Sequence, residues 1–509
     1  MSGRTGIRRA TILAASVSLA LAAAPVAEAG PASGLNGPAL AKKLTKNVTL
    51  EGVNRHLIAF QRIADRNGGN RAAGTTGYDA SVEYVAGKLR GAGFDVTTPE
   101  FTYQVQVTDA AVAKVGATTY ENIPLAFSPQ TPVGGITGTL RAVPQDETPG
   151  CEASDFAGQS FTGAIALIRR GGCTFDIKHR NAAAAGAIAV VVANNVPGKL
   201  SGVTLGAAGL IPTGGVSQAD GTALFGLAGQ QVTVDLRFHQ EDRVSRNVIA
   251  QTRTGRKDNV VFGGAHLDSV PAGAGINDNG TGSAGLLEAA LQLGGSPKVN
   301  NAVRFGWWGA EELNLLGSTA YVRSLTFEQQ LDIALYLNFD MIGSPNAGYF
   351  VYDGDNSDGE GAGAGPYGSA QIEKSFVDYL TVEKRIPVEG TDFTGRSDYG
   401  EFIRQGIPAG GLFTGAEVLK TPAQVAKWGG TAGVAYDPNY HGVGDNLGNV
   451  DRKALDRNSD ALAWVTASYA VSTEDVNGVP ARASRAAVRA EAARTLQVED
   501  HGHSHDVVE

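Results

Sequence analysis

Apolar residues recur every three to four positions over residues 53–89 (Leu57, Ile58, Phe60, Ile63, then Tyr84, Val85 and Leu89), the period that lines one face of a helix. The glycine-rich stretch Asn67-Gly68-Gly69-Asn70-Arg71 breaks this pattern, and Phe94-Asp95-Val96 follows as a first strand. Between residues 108 and 243 the texture changes. Short apolar runs at 136–140, 164–168 and 232–236 are separated by glycine-containing turns, which predicts a compact β-rich module with one helix at 175–185 and an apolar strand at 188–193.

From Asn247 onward strand-like and helix-like segments alternate. Val260-Val261-Phe262 leads to His266, residues 302–308 lead to Glu311-Glu312, and residues 333–339 lead to Asp340. Helical patterns cover 281–293, 315–322, 372–382 and 454–469, and 409–413 is a further strand. Such alternation predicts an α/β fold: a mostly parallel or mixed central sheet with helices on both faces, with the β-rich module inserted into it. In sheets of this kind the functional crevice lies outside the carboxyl ends of the strands. His266, Glu311-Glu312 and Asp340 are all expected there.

A chain of 509 residues is too long for one hydrophobic core, and a net charge of −9 argues against general affinity for nucleic acid or anionic membranes. Arg4, Arg8 and Arg9 precede an apolar run over residues 10–24, and Ala27-Glu28-Ala29 resembles a small-x-small cleavage site. Residues 1–29 therefore read as an export signal cleaved after Ala29, giving a secreted chain. A short membrane anchor is the alternative, but the run is short and alanine-rich, and Arg8-Arg9 leaves twin-arginine export open. Cys151 and Cys173 are the two cysteines of the chain, and a lone pair in an exported protein reads as a disulfide, with two buried thiols as the alternative. Beyond Asp475 the chain is polar and rich in alanine and arginine, so residues 475–509 read as a mobile tail; its His501, His503 and His505 are weak evidence for metal capture.

His266, Asp278, Glu311, Glu312, Asp340 and His441 are the residue types that a hydrolytic zinc site uses. Singly, each has a plain explanation: a core histidine, a turn cap, or carboxylates favouring a helix start. Three separate strands delivering such residues to one edge make those explanations weak together. Asp268, two residues after His266, falls on the same side of an extended segment, where a carboxylate would accept the imidazole's second N–H. Adjacent glutamates suggest divided labour: one holds metal while the other takes a proton from a water whose pKa the metal has lowered.

His266-Leu267-Asp268, Asn277-Asp278-Asn279-Gly280-Thr281-Gly282, Trp308-Gly309-Ala310-Glu311-Glu312, Asn338-Phe339-Asp340-Met341 and Tyr440-His441 resemble peptidase family M28, in particular its secreted bacterial and fungal di-zinc aminopeptidases of leucine type. The likeness spans residues 50–103 and 245–470. It implies two Zn2+ per chain, one on His266 and Asp340, the other on Glu312 and His441, with Asp278 bridging. It further implies Glu311 as general base, Tyr440 as donor to the oxyanion, Arg396 in Gly395-Arg396-Ser397-Asp398 beside the substrate, and peptides with a free N-terminus as substrates. Gly150-Cys151, Asp155-Phe156, Arg170-Gly171-Gly172-Cys173-Thr174-Phe175, Lys178 and Asn181-Ala182 resemble a protease-associated (PA) domain, which implies a Cys151–Cys173 bridge. The expected organisation is a signal at 1–29, a peptidase domain at 30–107 and 244–474, a PA domain at 108–243 and a tail from 475. Related zinc carboxypeptidases, glutaminyl cyclases and non-catalytic receptors are the competing readings. Family members often place cysteines around the last histidine motif, where this chain has Asn439 and Gly444.

Overall fold

The computed structural model describes residues 37–200, 203–359, 361, 363–473 and 478–495. The export signal and the three tail histidines lie outside these residues.

One sheet has eight strands, numbered here in chain order: β1 (Asp95–Thr97), β2 (Val248–Gln251), β3 (Arg256–His266), β4 (Asn301–Trp308), β5 (Ile333–Phe339), β6 (Phe350–Tyr352), β7 (Glu389–Thr391) and β8 (Ala409–Phe413). Their spatial order is β1-β2-β4-β3-β5-β8-β6-β7. The centre, β4-β3-β5-β8, is parallel, while β2 joins β4 and β6 joins β8 in antiparallel pairs. All seven residues of β5 are buried, as expected of a strand covered on both faces.

Alternation along β5 divides the two cores. Leu335, Leu337 and Phe339 pack with the helices Leu50–Arg66, Gly282–Leu293 and Arg452–Val471. Tyr336 points the other way and stacks on Phe402 at 3.8 Å, and its hydroxyl accepts the Trp308 indole N–H at 2.8 Å. A side chain at Gly264 would place a Cβ 2.2 Å from that hydroxyl, so glycine is required two residues before His266.

The β-rich stretch forms a second eight-stranded sheet. Its two longest strands, Glu100–Val115 and Gln231–Arg246, pair antiparallel from Glu100↔Arg246 onward, so the ribbon starts before the expected boundary at residue 108. The expected helix of this module is Phe175–Ala184, and it is joined by a second helix, Gln218–Phe225, where the sequence pattern predicts none. Cys151 and Cys173 are bonded, with Cα atoms 5.9 Å apart. Lys178 beneath them is buried, its ammonium donating to the carbonyls of Pro149 and Gly171.

The expectation of a mobile tail from 475 is corrected for part of that stretch. Arg482–Thr495 form a helix. Arg485 is buried and donates to the carbonyls of Pro480 (2.9 Å) and Leu331 (3.0 Å), and Arg489 donates to those of Gln330 (2.6 Å) and Ile333. An arginine-rich helix docks here by covering exposed carbonyls near the start of β5 rather than by burying an apolar stripe.

Candidate metal centre

β3 ends at His266, β4 ends three residues before Glu311, and β5 ends one residue before Asp340. In the parallel register His266 lies beside Trp308, so these three ends share one edge. The sheet order turns at β3, with β4 on one side and β5 on the other, which opens a crevice at that edge. Asp278 is presented by the turn Ile276–Thr281 before the helix Gly282–Leu293, and His441 by the loop ahead of Arg452–Val471. Ala310, Met341 and His441 have φ of 55°, 48° and 55°, a left-handed backbone that side chains rarely adopt and that clusters at functional sites.

The structure brings the six predicted residues together. His266 Nε2 lies 3.2 Å from Asp278 Oδ1, 3.3 Å from Asp340 Oδ1 and 3.7 Å from Glu311 Oε2. His441 Nε2 lies 3.2 Å from Asp278 Oδ2 and 3.0 Å from Glu312 Oε2. Asp278 thus sits between the two imidazoles with one oxygen toward each. Asp340 Oδ1 and Glu312 Oε1 are buried without a hydrogen-bond partner.

The electrostatics are those of a cation site. Burial opposes a charge on His266, but the Glu311 and Asp340 carboxylates outweigh it and raise its pKa well above the usual value. His441 is raised to about 10, because hydrogen bonds to Asp278 and Glu312 overcome its burial. Burial pushes Glu312 up to about 7, helped by the charge on Asp278, and lifts Glu311 well above the carboxylate range despite His266. Asp278 is held low because the two histidines outweigh its burial. Packed carboxylates here hold protons on the imidazoles, and divalent ions on the same atoms would replace those protons. Two overlapping groups, His266–Glu311–Asp340 and His266–Asp278–Glu312, have donor atoms close enough to hold an ion, so the residues fit metal. A third group, Asp353, Asp355 and Glu373, is accounted for locally: Asp353 accepts the N–H groups of Asp355, Ser357 and Asp358, and Glu373 accepts that of Gly354.

Asp268 lies on the Nδ1 side of His266, as alternation predicts. His266 Nδ1 is 3.2 Å from the main-chain carbonyl of Asp268 and 3.7 Å from its carboxylate. The carboxylate also accepts the Glu311 N–H at 3.2 Å. The turn at Ala310 leaves that N–H without a ladder partner, and a buried carboxylate satisfies it. Ser397 donates to Asp340 Oδ2 (2.6 Å) and is itself held by the Asn338 amide (2.8 Å).

Arg71, which the sequence marks only as the end of a glycine-rich loop, supports the site. Its buried guanidinium donates to the carbonyls of Leu267, Ala274 (2.9 Å) and Gly275 (2.6 Å), clamping the segment between His266 and Asp278. Burial lowers its pKa to about 10, against the pull of Asp268 and Asp445. No periodicity marks it; position in the loop was its only signal.

A cavity of about 230 Å³ adjoins the cluster. Met341, Tyr352, Phe413 and Val418 give it apolar walls, while Arg396 and Tyr440 stand at its polar side. Arg396 pairs with Glu417 at 2.7 Å and donates to the Tyr440 hydroxyl at 3.2 Å. The Tyr440 ring stacks on His441 at 3.8 Å.

Fold and site together define a metal-dependent hydrolase of the α/β class. Residues 247–466 match the model of peptidase family M28, and residues 136–224 match that of the PA domain. The chain is 48% identical over 459 residues to the probable lipoprotein aminopeptidase LpqL of Mycobacterium tuberculosis, covering 89% of this chain and 91% of that one. It is 46% identical over 421 residues to leucine aminopeptidase 2 of Arthroderma otae, covering 81% and 82%. Among solved structures, an aminopeptidase from Aneurinibacillus sp. strain AM-1 superposes with a TM-score of 0.61 at 26% identity, covering 87% of this chain and 98% of that one. A zinc aminopeptidase from Bacillus subtilis shares the fold, with a TM-score of 0.63 at 24% identity, covering 88% and 100%. The chain belongs to peptidase family M28 and is a metallo-aminopeptidase.

Proposed function

We propose that this chain is a secreted enzyme that removes large apolar residues from the free N-terminus of peptides at a site holding two zinc ions. The observation that carries the reading is Asp278 lying between His266 and His441, with Asp340 and Glu312 completing the two sides. On it, His266 and Asp340 would hold one ion, His441 and Glu312 the other, with Asp278 serving both. The choice of zinc draws support from the B. subtilis relative, described as a zinc enzyme. Export is supported by the disulfide, which persists in oxidising compartments. No helix among the described residues is long and apolar enough to cross a membrane. The domain division read from sequence remains part of this proposal, with the Glu100–Val115 and Gln231–Arg246 ribbon as the joint.

When bound, the ions would supply Lewis acidity and bring a water's pKa toward neutrality. Glu311 takes the proton from the attacking water and returns it to the departing amine. Tyr440 donates its hydroxyl proton to the carbonyl oxygen as negative charge gathers there. Arg396, an N–H donor to the phenol oxygen, leaves that proton aimed away from itself. Asp268 fixes the Glu311 main chain, and through it the base. The cavity walls Met341, Phe413 and Val418 favour an apolar first side chain.

A carboxypeptidase would need a cation for the substrate's terminal carboxylate. Among the described residues Arg396 is the one lysine or arginine lining the cavity, and it is committed to Glu417 and Tyr440. The test is release of p-nitroaniline from leucine p-nitroanilide by the purified chain. Chelation should abolish it and zinc should restore it, with alanine and lysine substrates slower. Activity indifferent to chelation sinks the reading.

A further inference from the structure

A buried polar network lies under the Asp278–His441 half of the site. Asp445 accepts two successive main-chain N–H groups, those of Asn277 (2.7 Å) and Asp278 (3.0 Å). The Asn277 side chain donates to Asp437 at 2.7 Å. Asn449 donates to both oxygens of Asp437 at 2.9 Å each, and to Asp445 at 3.2 Å. Asn439, two residues before His441, donates from its side chain to Asn449 (2.7 Å) and from its main chain to Asp437 (2.8 Å). Asn277, Asp437, Asp445 and Asn449 are all 3% exposed or less.

This network joins segments far apart in the chain. Within the loop carrying His441, Val443 is 84% exposed and His441 itself is left-handed. The ring stacked on the imidazole, Tyr440, belongs to the same loop and so cannot by itself place that loop against Asp278. The buried network makes that connection, and a satisfied buried network favours one arrangement. The described cysteines are both taken up by the bridge in the inserted module, so no covalent link serves this loop. Asn439 and Gly444 nonetheless meet across it: a Cβ at Gly444 would lie 3.2 Å from the Asn439 Cβ. That is close to the roughly 3.5–4.5 Å Cβ spacing of a disulfide.

We infer that Asn449, acting with Asp437, Asp445 and Asn439, is a positioning residue that holds His441 at Asp278 and so sets the affinity for the second metal ion. The inference rests on the ligand roles proposed above for Asp278 and His441. Partners that orient a ligand without touching the metal change affinity or rate by about 10–100-fold.

The test is calorimetric zinc titration of metal-free full-length protein, alongside kcat and KM on leucine p-nitroanilide. Asn449→Ala should weaken the second zinc by about 10–100-fold, leave the first unchanged, and lower kcat with little change in KM. Adding Asn439→Cys with Gly444→Cys, oxidised, should recover most of the loss. Asn439→Ser with Gly444→Ser in the same background should not. A second-zinc affinity in Asn449→Ala equal to that of the unmodified chain overturns the inference, as does equal recovery by the serine pair. His441→Ala separates the two levels: if it binds both ions normally, the ligand assignment itself has failed. Where Asn449→Ala yields no folded protein, Asn439→Ala removes a single bond of the network, and undiminished second-zinc affinity there also overturns the inference.

Discussion

Glu311→Gln is expected to lower kcat by about 10³-fold while both zinc ions stay bound, the range seen when a general base is removed. The amide keeps the size and hydrogen-bonding reach of the side chain but cannot accept the water's proton. The metal count matters because the geometry admits a rival arrangement. Glu311 also belongs to a group, with His266 and Asp340, whose donor atoms are close enough to hold an ion. Its carboxylate is 3.7 Å from His266 Nε2, farther than Asp278 at 3.2 Å or Asp340 at 3.3 Å, and this ordering favours the base over the ligand role. Stopped assays and zinc analysis on one preparation decide between them. A variant that loses zinc along with activity makes Glu311 a ligand, and one that keeps full activity removes it from the mechanism.

Asp278→Asn is expected to have the larger effect on the metals. One carboxylate oxygen faces each imidazole, so one substitution removes charge from both sides of the site. Zinc occupancy should fall below two per chain, and kcat/KM should drop by at least about 100-fold, equivalent to about 2.7 kcal/mol of transition-state stabilisation. Thermal unfolding of the metal-free variant should stay close to that of the metal-free parent, since the substitution preserves shape. Retention of two tightly held ions in Asp278→Asn would remove this residue from the bridging position.

Much of the site edge was legible in the sequence because apolar runs stop where these residues begin. The predicted strands at 333–339 and 409–413 coincide with β5 and β8, and Asp340 follows β5 directly. Alternation also places Asp268 on the side of His266, where its carboxylate lies 3.7 Å from Nδ1. Its bond to the Glu311 N–H had no sequence signal, because that N–H is freed by a turn far along the chain. The supporting roles of Arg71, Asp437, Asp445 and Asn449 were not legible: polar residues in loops carry no period, and the segments they tie down at 267–278 are distant in the chain. The helix Arg482–Thr495 escaped for the opposite reason, since its two inward-facing arginines read as solvated charge until the carbonyls they cover are known.

Zinc content per chain, measured by elemental analysis on the unmodified protein and on His441→Ala after dialysis against trace zinc, tests the paired site most directly. The account predicts two ions per chain in the first and one in the second, because His441 and Glu312 face each other at 3.0 Å on one side of Asp278 only. A single ion in the unmodified protein, or two in His441→Ala, would contradict it.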